Sequence, residues 1–88
     1  MADIESVWQR IEAHAGKKVQ QIRGGVFTYR ATARTLKLDR TNRSISWSAM
    51  EKALSRVPLT ATSEVANLSA PSYIYAILMD DRIRRGEW

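Results

Sequence analysis

The segment Val26-Phe27-Thr28-Tyr29-Arg30-Ala31-Thr32 most narrows what this chain can fold into. It is rich in the β-branched and aromatic residues that suit a pleated, half-buried surface. Successive side chains on a strand point to opposite faces, so Phe27, Tyr29 and Ala31 share one face and Val26, Thr28 and Arg30 the other. Gly24-Gly25 precedes it and supplies the positive φ of a tight hairpin. The strand is therefore expected to turn back on Lys17 to Arg23. Val19 and Ile22 cannot share a face of an unbroken strand there, which predicts a bulge or an edge position.

A short turn at Ala33-Arg34 leads to Thr35-Leu36-Lys37-Leu38-Asp39. Leu36 and Leu38 share a face, opposite Thr35, Lys37 and Asp39. Three consecutive strands most simply form an antiparallel meander. Its inner face would hold Phe27, Tyr29, Leu36 and Leu38. Its outer face would hold Thr28, Arg30, Thr35, Lys37 and part of 17–21.

Helical patterns flank this region. Ile4, Val7, Trp8, Ile11 and Ala15 make one apolar stripe, with Asp3 as N-cap and Gly16 as the stop. After a polar connection, Arg40 to Ser44, Ile45 is expected to anchor the chain. A second helix starts from Ser46 or Ser48, the latter with Glu51 at capping-box spacing. Met50, Ala53, Leu54 and Val57 form its stripe, and Pro58 stops it. Leu59 to Ser69 reads as a linker with apolar anchors and room for a short helical turn. Pro71 suits a first helical position, and Tyr73 to Met79 is apolar or aromatic all round, the pattern of a central helix. The expected architecture is a single α+β two-layer domain over residues 1–88, in the order α-β-β-β-α-α, with the helices on one face of the sheet.

The charge distribution sets the functional expectation. Of 14 basic and 9 acidic residues, eight basic ones and one acid, Asp39, lie between Lys17 and Arg43. That segment carries +7, and the remainder −2. Such asymmetry speaks to partners rather than to fold. Alternation puts Arg30 and Lys37 on the outer face of adjacent strands. Arg23 and Arg34 fall at the turns, and Arg40 and Arg43 extend the positive field into the next loop. Guanidinium and ammonium groups with threonine hydroxyls between them are donors suited to a phosphate backbone. The leading expectation is a non-enzymatic nucleic-acid-binding protein using this basic face. An ordinary solvated sheet would carry similar residues, and edge cations also deter aggregation. The alternative is a protein-interaction module with an acidic partner, using Trp47, Arg82, Arg84, Arg85 and Trp88 together with the 40–44 loop, since Trp and Arg are the usual interface anchors. A homodimer is compatible with both.

No catalytic pattern emerges. His14 is the sole histidine, near a helix end, with no nucleophile or acid at a motif spacing. Asp80-Asp81 lies beside Arg82, Arg84 and Arg85, so local ion pairing is the simplest reading. A metal site would need Asp39 or Glu51 to converge on that doublet. Cysteine is absent, which excludes thiolate zinc and fits a reducing compartment. The first residues show neither a basic nor an apolar leader region, and no stretch is long enough to span a bilayer. A cytoplasmic protein with no cofactor, no metal and no membrane association is expected.

Overall fold

In the computed structural model, residues 3–21 and 24–88 are described. Helix α1 covers Ile4–Ala13, and the Asp3 carboxylate accepts from the Ser6 N–H at 2.7 Å, which satisfies one of the open donors of its first turn. Among the described residues five short strands follow: β1 Val19–Gln20, β2 Val26–Phe27, β3 Tyr29–Thr32, β4 Thr35–Leu38 and β5 Ser44–Ser46. Helix α2 is Trp47–Leu54. A 3-10 turn spans Thr62–Val65, and α3 (Pro71–Leu78) and α4 (Asp81–Arg84) end the described chain. The class is α+β, with all strand pairing antiparallel.

The strands divide differently from the expected three. β1 and β2 form a two-stranded sheet across the Gly24 turn, with Val19 opposite Phe27. Gly24 has φ +88, in the region that glycine adopts without a Cβ clash. Ile22, where a bulge was expected, lies outside the described residues. The long strand 26–32 is divided at Thr28. There the β3–β4 ladder runs one step further: Asp39 donates its N–H to the Thr28 carbonyl at 3.1 Å, and the Asp39 carboxylate accepts from the Thr28 N–H at 3.0 Å. The meander is β3-β4-β5. Its third strand, Ser44–Ser46, lies where a connection and a helix start were expected. Three residues alternating exposed, buried, exposed are too short to stand out in a sequence. Ser46 then caps α2, accepting from the Ala49 N–H at 3.1 Å, which decides the cap in favour of Ser46 over Ser48. Helix α2 stops at Leu54, four residues before Pro58.

The core forms between the sheet and the helices. Tyr29, Leu36, Leu38 and Ile45 on the inner sheet face meet Val7, Trp8 and Ile11 of α1, Met50 and Ala53 of α2, and Ile74, Ile77 and Leu78 of α3. Phe27 belongs to the same cluster, its ring edge-on to Tyr73 at 4.8 Å between centroids. Tyr29 ties the two layers together. Its hydroxyl donates to the Ile11 carbonyl at 2.6 Å, and its own carbonyl accepts from the Gly16 N–H at 2.9 Å. Burial pushes its phenol well above the ordinary value, so it remains a donor.

The C-terminal segment also joins the core. Ile83 is buried, and the Trp88 indole donates to the Leu78 carbonyl at 2.7 Å. Arg10, off the apolar stripe of α1, reaches the Ile83 carbonyl at 2.9 Å and pairs with Glu87.

Candidate nucleic-acid interface

The β3–β4 register sets the geometry of the outer sheet face. Thr32 pairs with Thr35 across the Ala33-Arg34 turn, which brings Arg30 directly opposite Lys37. The β4–β5 register adds Ser44 beside Lys37 and Ser46 beside Thr35. The face therefore carries two transverse rows, Arg30–Lys37–Ser44 and Thr32–Thr35–Ser46. Directly opposed residues hold their Cβ atoms about 5 Å apart, so the two cations are neighbours. Arg30, Lys37 and Ser44 are all exposed. Asp39 shares this face, but one of its oxygens is taken by the Thr28 main chain. Like charges directly opposed cost the sheet a little stability.

The other expected cations surround this row. Arg34, in the turn, is exposed and stacks on Trp47, its guanidinium carbon 4.8 Å from the ring centroid, a cation–π contact. The Trp47 N–H donates to the Arg34 carbonyl at 2.7 Å, so the stack rests on a fixed backbone. Arg43 is exposed one residue before β5. Arg40, also exposed, turns toward the first hairpin and donates to the Val26 carbonyl at 3.3 Å. Arg23 lies outside the described residues. The structure thus brings Arg30 and Lys37 together, sets Arg34 and Arg43 near the ends of the rows, and directs Arg40 toward the hairpin. Among the described residues the ion pairs are Arg10–Glu87 and Arg82–Asp80, so Arg30, Arg34, Lys37, Arg40 and Arg43 are in neither.

The aromatic residues sit inward. Phe27 and Tyr29 are buried and present no open ring to a base. Trp47 is half-buried between Arg34 and Trp8, whose ring centroid lies 5.2 Å away.

The second group of expected residues is mostly engaged within the fold. Arg82 pairs with Asp80 at 2.9 Å and donates to the Lys18 carbonyl at 2.9 Å. The Arg82 guanidinium, through its hydrogen bonds, holds the Asp80 carboxyl below its usual range. Asp80 also caps α4 by accepting from the Arg82 N–H. Of the acidic doublet, Asp80 is thus both a helix cap and a local ion-pair partner, and Asp81 lies exposed in the first turn of α4. Arg84 donates to the Trp88 main-chain oxygen, Trp88 is half-buried, and Arg85 is exposed.

His14 caps the end of α1, its Nδ1 2.8 Å from the Arg10 carbonyl. Among the described residues no three His, Asp or Glu lie close enough to hold a metal ion, and no helix is long and apolar enough to cross a membrane. Arg10 and Arg56 are missed by sequence reasoning. Arg56 joins the Glu64 carbonyl and the Asn67 side chain at 2.9 and 2.8 Å, a contact no local motif announces. Comparison with protein-family models, with curated proteins and with solved structures gives no match.

Proposed function

We propose that the protein is a non-enzymatic nucleic-acid-binding module that contacts the phosphate backbone through the outer face of β3-β4-β5. One observation carries the reading: Arg30 and Lys37 stand directly opposed and exposed in one row, without an ion-pair partner among the described residues. Opposing two cations costs stability in the free protein. A polyanion offsets that cost by neutralising both, and its displaced counterions supply the affinity. The hydroxyls of Ser44, Thr32, Thr35 and Ser46 are secondary donors around them, and Arg34 offers a guanidinium held by its stack on Trp47. With Phe27 and Tyr29 buried, base stacking contributes little, so the reading favours backbone contacts with weak sequence preference.

Titration of duplex and single-stranded oligonucleotides at low salt, followed by anisotropy, is the direct test. Binding is expected. Arg30→Ala combined with Lys37→Ala should weaken it by roughly tenfold or more, at about 1 kcal/mol per lost phosphate contact. An absence of binding to either form at low salt ends this reading.

A further inference from the structure

An open groove of about 610 Å³ lies where the start of α1, the end of α2 and the C-terminal residues meet. Its apolar lining includes Ile4, Leu54, Val57, Pro58 and Trp88. The Trp88 indole N–H is already satisfied by the Leu78 carbonyl, so the ring offers the groove only apolar surface. Among the described residues the remaining lining includes three carboxylates, Asp3, Glu51 and Glu87, and no lysine or arginine. Glu87 is neutralised by Arg10, which leaves Asp3 and Glu51 as the charges a ligand meets. Glu51 is exposed, and with Ser46 as the α2 cap it has no capping-box role. The carboxylates are too dispersed among the described residues to hold a metal ion, so they act as separate rim charges.

We propose that this groove docks a cationic amphipathic segment of a partner protein, its apolar side chains seated against Leu54, Val57 and Trp88 and its lysine or arginine residues meeting Glu51 and Asp3. The complementarity is double: an apolar floor for one face of the segment and a negative rim for its flanks. The volume falls in the range of ordinary ligand pockets and accommodates several side chains. Its open form suits a segment laid across it. A second copy of this chain fits poorly, because Val26, 45% exposed, is the large hydrophobic residue it presents among the described residues, and a single valine makes no apolar stripe.

The test uses the full chain, labelled with ¹⁵N, and a synthetic peptide with leucines along one helical face and lysines on its flanks. A matched peptide carrying glutamates in place of the lysines is the control. The lysine peptide should shift the Trp88 indole N–H and the Leu54 and Val57 amides while leaving the Trp47 indole in place. Glu51→Lys should weaken binding about tenfold, as expected for reversing a rim charge beside an apolar contact. The variant's own spectrum shows whether it is folded, and Glu51→Gln, with a smaller loss, provides a second reading. The proposal is overturned if the lysine peptide leaves Trp88 unmoved, if both Glu51 variants bind it as well as the parent, if the glutamate peptide binds equally, or if the same resonances move with protein concentration alone. Oligonucleotides report on the opposite reading, through the resonances of Arg30 and Lys37, so either can fail without the other.

Discussion

Arginines at the helical end of this molecule and cations on its sheet do different work. Arg10, Arg56, Arg82 and Arg84 each donate to a main-chain oxygen distant from themselves or at the close of a turn, and two of them also pair with a carboxylate. They replace missing secondary structure where short helices and irregular segments meet. Arg30 and Lys37 are exposed, and the regular sheet beneath them is paired without their help. The difference teaches how to read a basic protein: total charge says less than which cations the fold has already used. Arg10 and Arg82 are neutralised by carboxylates at the helical end, whereas the ion pairs among the described residues include neither Arg30 nor Lys37, so the positive field available to a partner is concentrated further on the sheet.

The largest test of that contrast is Arg10→Ala. The Arg10 side chain is only 14% exposed and serves both Glu87 and the Ile83 carbonyl. Its removal should cost about 2–3 kcal/mol. For a chain of this size, that lowers Tm by roughly 10–20 °C in a thermal melt followed by circular dichroism. An unchanged Tm would break the contrast at its strongest point.

Arg82→Ala should cost less, about 1 kcal/mol, because this side chain is more exposed. Asp80, its partner, also sets a pH signature. Its folded-state carboxyl titrates below the unfolded value, so the stability it contributes is full above about pH 4 and is lost as pH falls through its lowered native value. Asp3 and Glu64, held down by main-chain hydrogen bonds, add to stability in the same direction. Asp80→Asn keeps a helix cap but removes the charge, so its Tm should fall less steeply than the parent's between about pH 5 and pH 2. Parallel slopes would show that the ion pair contributes nothing.

On the sheet, Arg30→Ala with Lys37→Ala should change folding stability by no more than about 0.5 kcal/mol, with a small gain expected from relieved repulsion. A urea titration measures it. An effect of comparable size but of backbone origin lies in the adjacent turn. Ala33 is exposed and held at φ +43, where a Cβ is unfavourable, so Ala33→Gly should stabilise the meander by about 0.5 kcal/mol after the entropic cost of glycine.

Much of the sheet face is legible in the sequence because two local rules suffice. Alternation assigns Tyr29, Leu36 and Leu38 to one side. A two-residue turn at Ala33-Arg34 then fixes the register that places Arg30 opposite Lys37. The α1 stripe and the Pro71 start of α3 follow from equally local signals. The third strand was not legible, because Ile45 between two serines is indistinguishable from a loop anchor until β4 lies beside it. The groove and the docked C-terminal segment were not legible for a different reason. Arg10 meets Glu87 across 77 positions and Trp88 meets Leu78 beyond the end of a helix, and no local spacing encodes a contact of that kind. The arginines of 82–85 illustrate the consequence: their composition resembles an interface anchor, while the structure uses Arg82 and Arg84 to hold the chain's own backbone.

The central claim is that the sheet cations, rather than net charge, are what a nucleic acid meets, and the salt dependence of oligonucleotide affinity tests it most directly. For Arg30→Ala with Lys37→Ala, the slope of log affinity against log salt should become shallower by about 2, one unit for each lost phosphate contact. Lys52→Ala with Arg85→Ala removes the same charge from two exposed residues away from the sheet face and should leave the slope near that of the parent. Equal slopes for the two double variants, or no measurable affinity in the parent, would contradict the account.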